Sequence, residues 1–113
     1  MESKQEFIRR IAWQNRLDPE GESVRWSRHS ITELLLEGWT RTLIEDALHS
    51  CEVIEDYPAV HRPPPDCLVL GWLESEVPFH AVVAVDEAND RLFIVTVYKP
   101  NPARWEDDWK TRK

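Results

Sequence analysis

Three apolar segments crowd the second half of this chain: CLVLGWL at 67–73, FHAVVAV at 79–85 and RLFIVTVY at 91–98. Runs of this length, rich in β-branched and aromatic residues, read as strands, and strands this apolar need cover on one or both faces. The connection DEAND at 86–90 has the composition of a turn, so the last two segments are expected to pair antiparallel. A loop that sets Asp86 opposite Leu92 carries the ladder on to Ala84 with Ile94, Val82 with Thr96, and His80 with Tyr98. A slip of one residue would put Val97 opposite His80 and send Tyr98 to the other face, because side chains alternate with period two. A further strand is expected at CEVIEDY, 51–57, before the loop PAVHRPPPD, whose three consecutive prolines exclude regular structure at 63–65.

Ahead of these strands the pattern is helical. KQEFIRRIAWQNRL places Phe7, Ile8, Ile11 and Ala12 at the spacing of a short amphipathic helix, which DPEGES stops. ITELLLEG predicts a second helix ended by Gly38, and Thr40 caps a third over RTLIEDALHS, the two forming a hairpin. Helices first and an antiparallel meander afterwards make an α+β domain.

The chain has 113 residues, the size of one domain, and its 42% apolar content with six tryptophans is enough for a modest core. No run approaches the roughly 18 to 20 apolar residues that span a bilayer, and MESKQEFIRR lacks the apolar centre of a signal peptide, so no membrane and a cytoplasmic location are expected. Two cysteines exclude a disulfide framework. The net charge of −7 argues against a surface uniformly adapted to nucleic acid. That charge is uneven: residues 30–97 carry thirteen acidic and three basic side chains, whereas residues 98–113 carry five basic and three acidic.

Three constellations have chemistry in them. His80, Tyr98 and Thr96 share a sheet face if the register above holds; the alternative is a histidine in an ordinary hydrogen bond at a sheet edge. Arg28 and His29 in SRHS join a bidentate phosphate donor to an imidazole able to move a proton near neutral pH. There the alternative is that Ser27 or Ser30 caps a helix and the histidine packs beneath it. The tail offers Tyr98, Lys99, Arg104, Arg112 and Lys113 as phosphate donors, with Trp105 or Trp109 as stacking surfaces for unpaired bases; spaced by four, the two rings would share one face of a short helix, a geometry that also suits docking on the sheet. His49 with Cys51 and His61 with Cys67 lack a compact Cys-x-x-Cys pair, so no metal and no cofactor are expected.

The ordered pieces SRHS…EGWTRTLIEDAL, CEVIEDYP, CLVLGW, PFHAVVAV and IVTVYKPNPARWEDDWKTRK resemble a family of small prokaryotic proteins of unknown function grouped with RelE-, BrnT- and MqsR-type toxins. The resemblance covers residues 24–113 and leaves 1–23 as a helical extension of a single domain. It implies a RelE-like fold, with helices packed on a curved, mainly antiparallel four-stranded sheet. It also implies a toxin of a type II toxin–antitoxin pair that cleaves messenger RNA without metal, partnered by an antitoxin of zinc-finger or helix-turn-helix type. In such cleavage the 2′-hydroxyl attacks phosphorus, and the protein assists proton transfer and stabilises charge. Carried onto this chain, the resemblance puts His29, His80, Tyr98 and Lys99 on family motif positions and matches Arg112 to a terminal basic pair; with the constellations above, His29, His80 and Tyr98 are the expected catalytic residues and Arg28, Lys99, Trp105, Arg112 and Lys113 the expected RNA-binding ones. Glu33 and Glu37 stand where similar sequences have arginines, a change that repels phosphate; a RelE-fold module that binds an antitoxin-like protein without catalysis is the competing expectation.

Overall fold

The computed structural model describes residues 2–57, 66–74 and 76–113. Helix α1 spans Lys4–Leu17, strand β1 Val24–Trp26, α2 Arg28–Glu37, α3 Arg41–Ala47, β2 Glu52–Tyr57, β3 Asp66–Leu73, β4 Val77–Asp86 and β5 Arg91–Tyr98. The strands form one sheet in the order β1-β5-β4-β3-β2, with β1 parallel to β5 and the other neighbours antiparallel. The α+β class is as expected, but the sheet has five strands and is mixed, where four mainly antiparallel strands were predicted. The missed strand, β1, is three residues long, too short for alternation to register in the sequence. The proline-rich loop falls almost entirely at 58–65, outside the described residues.

The helices start where their capping residues stand. Ser3 and Glu6 form a reciprocal capping box at α1. Ser27 Oγ accepts from the Ser30 amide at 3.0 Å to cap α2, and Thr40 Oγ1 accepts from the Leu43 amide at 3.2 Å to cap α3. Gly38 ends α2 at φ 74°, a left-handed turn that a side chain would strain. The helices cover one face of the sheet: Phe7, Ile8 and Ile11 of α1, Leu34 of α2 and Ile44 of α3 share a core with Val69, Phe79, Val83, Leu92 and Ile94. Gly71 lies opposite Phe79, whose ring occupies the space a Cβ would need, with Phe79 Cζ 2.3 Å from that position.

The β4–β5 register reaches the expected end by an unexpected route. The turn Glu87–Asn89, with Asp86 accepting from the Asn89 amide and side chain, leaves Asp86 opposite Arg91 rather than Leu92. A bulge then shifts the ladder by one between Val83↔Ile94 and Val82↔Thr96, with Val95 as the extra residue. His80 therefore opposes Tyr98 and Val82 opposes Thr96, as predicted.

Helix side chains close the β2 edge and the part of β5 that β1 leaves uncovered. Along β2, Arg9 Nε donates to the Cys51 carbonyl at 2.7 Å, Gln5 accepts from the Val53 amide at 3.0 Å, and Lys4 donates to the Tyr57 carbonyl at 3.5 Å. Along the part of β5 that extends past β1, α2 takes over: Ser27 and Ser30 hydroxyls donate to the Val95 and Ile94 carbonyls, and Glu33 accepts from the Val97 amide at 3.0 Å and from the Thr96 hydroxyl. α2 thus lies along β5 while α3 packs against α1 and β3, in place of the simple two-helix hairpin expected.

Candidate functional site

His80, Thr96 and Tyr98 project from the sheet face opposite the helices. The His80 and Tyr98 rings, cross-strand neighbours, meet edge to face at 5.5 Å. After β5 the chain turns at Asn101, whose carbonyl accepts from the Arg104 amide at 2.9 Å and whose side chain accepts from the Ala103 amide at 2.9 Å. That turn brings Trp105 back over the sheet, where its ring stands nearly perpendicular to His80 at 4.5 Å. The tail then doubles on itself, with Trp105 bridged to Arg112, the Glu106 amide donating to the Thr111 carbonyl and the Lys113 amide to the Arg104 carbonyl.

Three polar contacts tie this tail down. His80 Nε2 donates to the Trp109 carbonyl at 2.7 Å. The Arg112 guanidinium makes a bidentate pair with Glu55 at 2.7 and 2.9 Å and lies 4.7 Å over the Trp105 ring. Lys110 pairs with Glu52 at 3.1 Å. Trp105 and Trp109 do not share a helix: Asp108 accepts from the Lys110 and Thr111 amides, and Trp109 sits at φ 62°. Trp105 is buried between Arg112 and His80, which leaves no free ring face for a base. Docking, the other option read from the sequence, is what this tryptophan does.

His80 has no exposed surface. Because Nε2 donates to a carbonyl it carries the ring proton, and Nδ1 has no hydrogen-bond partner among the described residues. Burial holds its pKa below the ordinary histidine value. The ring positions the tail and is shielded from any ligand. Tyr98 is half-buried, and burial raises its pKa, so at neutral pH the phenol stays protonated and carries a proton it can donate.

Between the end of β5 and the folded tail lies a cavity of about 410 Å³, lined by Tyr98, Lys99, Asn101, Arg104, Trp105 and Arg112. Lys99 and Arg104 have no carboxylate partner among the described residues and Arg112 is paired with Glu55, so the lining carries three cations, two of them unpaired, in a chain of net charge −7. The sequence placed Tyr98, Lys99, Trp105 and Arg112 together, and they do meet here. Lys113 is exposed and does not line the cavity, nor does Arg28 at the start of α2.

His29 is 71% exposed, with Nε2 3.4 Å from Glu33 Oε1. Through Glu33 it is linked to Thr96, two residues from Tyr98 on the same strand and face. The imidazole does not line the Tyr98 cavity; its link to that strand runs through Glu33. Glu55, Asn101 and Tyr57, which donates to Glu55 at 2.7 Å, are the contributors that sequence reasoning missed. No local signal marks Glu55, which lies 57 residues from its arginine. Cys51 and Cys67 are both buried, and burial pushes each thiol up to about 12. Among the described residues no three His, Cys, Asp or Glu side chains are grouped to hold a metal; His61 lies outside them.

The fold and this cavity define a small α+β domain with a cationic pocket at the end of its fifth strand. The chain belongs to the family described as Domain of unknown function (DUF4258), whose model matches residues 26–99. Tyr98 and Lys99 close the matched span, while α1 and the docked tail lie outside it. Neither curated proteins nor solved structures include a match to the chain.

Proposed function

We propose that the protein is a RelE-like toxin of a type II toxin–antitoxin pair that binds RNA at the Tyr98–Lys99 pocket and cleaves it without metal. The observation that carries this reading is the convergence of Lys99, Arg104 and Arg112 on one cavity beside a protonated phenol, in an otherwise acidic protein. Lys99 and Arg104, with Arg112 beside them on Glu55, suit a phosphodiester and the extra charge that builds on it as the 2′-hydroxyl attacks phosphorus. Tyr98 donates a hydrogen bond to a phosphate oxygen or a proton to the departing 5′-oxygen. His29, oriented by Glu33, accepts the proton of the 2′-hydroxyl. In this reading His80 takes a positioning role, holding Tyr98 and the tail.

The test uses purified protein with a single-stranded RNA in the presence of EDTA. Expected are fragments ending in 2′,3′-cyclic phosphate, with rates lowered at least tenfold in Tyr98→Phe and His29→Ala. RNA binding should also weaken in Lys99→Glu. Intact RNA after prolonged incubation, together with no growth defect on induced expression, would reject the nuclease.

Leu35 and Leu36, 73% and 83% exposed side by side on α2, favour a second reading. There the same fold is a catalytically inactive module whose α2 face binds an antitoxin-like protein. Complex formation lost in Leu35→Asp/Leu36→Asp, with RNA untouched by the parent, would select it.

A further inference from the structure

One stretch of the sheet's edge is left open among the described residues. Arg9, Gln5 and Lys4 cap β2, and Ser27, Ser30 and Glu33 cap β5 beyond β1, so helix side chains stand in for a missing strand on both sides. β1 is the exception. The Leu92 amide donates to the Ser23 carbonyl, and the Ser27 amide donates to the Ile94 carbonyl, which fixes the direction of the β1 backbone. Alternate residues of a strand turn their backbone groups to opposite sides, so those of Val24 and Trp26 face outward. Among the described residues no hydrogen bond reaches them.

Beside this edge is a cavity of about 390 Å³, lined by Val24, Arg25, Trp26, Ile31, Arg41 and Phe93, with Glu22 at its rim. Phe93 is exposed there although it is a large aromatic. Arg41 has no carboxylate partner among the described residues, and Arg25 reaches Glu22 only at 3.7 Å between two exposed side chains. The site therefore combines unpaired strand donors and acceptors, an apolar wall and two arginines against one glutamate.

We infer that the β1 edge is a docking site for an extended, acidic segment of a partner protein, which adds as a sixth strand beside Val24–Trp26. Main-chain bonds to Val24 and Trp26 supply the pairing, and side chains supply the choice of partner. Carboxylates at alternate positions answer Arg25 and Arg41, and apolar side chains between them cover Ile31 and Phe93. A second copy of this chain fits poorly: antiparallel pairing of two β1 strands centred on Arg25 sets arginine directly opposite arginine, a destabilising cross-strand pair. The inference does not depend on the RNA pocket, which lies at the far end of β5.

The probe is a blocked octapeptide of alternating Glu and Val, with a Lys and Val peptide as control, added to the full chain. The readout is amide hydrogen exchange at Val24 and Trp26. The acidic peptide is expected to slow exchange at both amides at least fivefold, and the effect should vanish in Arg25→Glu/Arg41→Glu, two exposed positions whose variant is checked for native amide spectra. Exchange unchanged by the acidic peptide, or slowed equally by the lysine peptide, would overturn the proposal. So would protection that rises with protein concentration alone, which would assign the edge to a second copy.

Discussion

The Glu33 carboxylate on α2 accepts the Val97 amide of β5 at 3.0 Å, so a helix side chain completes the hydrogen bonding of a strand that β1 is too short to cover. The same carboxylate takes the Thr96 hydroxyl. The acidic residue that looked hostile to phosphate in the sequence is part of the sheet's edge. Replacing it with alanine orphans the amide, a loss of about 1–3 kcal/mol in urea unfolding. Glu33→Gln keeps an acceptor oxygen and should lose less than Glu33→Ala, whereas Glu33→Arg should lose at least as much. An arginine variant as stable as the parent would show that the amide finds another acceptor.

Gly71 and Phe79 make a second test of packing. A Cβ at residue 71 would sit 2.3 Å from Phe79 Cζ and 2.4 Å from Cε2, and Phe79 is fully buried. Gly71→Ala is expected to cost about 1–3 kcal/mol by overpacking. Because the clash is with the ring, Phe79→Leu should absorb much of that cost, so the two substitutions should be non-additive in a double-mutant cycle. Strict additivity would place the strain elsewhere.

His80 predicts a pH dependence. Its folded pKa is lowered by burial, so the unfolded chain takes up the proton first as pH falls below about 6.5. Stability from this group is therefore present above that pH and declines below it. Urea midpoints followed from about pH 7.5 to 5 should fall more steeply in the parent than in His80→Gln. Equal slopes would mean that the ring binds its proton alike in both states.

The tail should come loose before the core. Arg112 and Glu55 pair at the surface, so Arg112→Ala is expected to change global stability by only about 0.5–1 kcal/mol while speeding exchange of the Glu106 and Lys113 amides, which bond within the tail. The Arg112 contact holds the Glu55 carboxyl below its usual range. Its contribution is full above the unfolded value of about 4.3 and is lost as pH falls through the lowered one. Exchange in the tail that is indifferent to this substitution would assign docking to Trp105 alone.

Much of the fold was legible in local signals. Ser27 or Ser30, Gly38 and Thr40 mark helix ends because caps act within three or four residues of the group they satisfy. The pairing of His80 with Tyr98 was read correctly although the turn was misjudged by a residue, since the bulge at Val95 compensates for the shorter loop. The bulge itself leaves no trace in composition. Likewise the tail's basic character was plain, but Trp105 as a buried strut against His80, instead of a stacking surface, depends on which sheet face the chain folds back over.

By itself the sequence determined the α+β class, the presence of three helices with the ends of the first and the Gly38 and Thr40 punctuation of the others, the antiparallel order of the last three strands and the cluster of Tyr98, Lys99 and Arg112, because periodicity, capping and short separations encode them; α2 starts at Arg28, three residues before the expected ITELLLEG. Only the tertiary structure decided that β1 joins the sheet, that Glu33 and Glu55 serve an edge and an arginine, and that His80 is sealed from solvent. Those outcomes rest on contacts between residues far apart in the chain, such as His80 with Trp109 at 29 positions, Arg112 with Glu55 at 57 and Ser27 with Val95 at 68. A linear pattern carries no record of them, since each is fixed by how burial of the apolar faces brings distant backbone edges together.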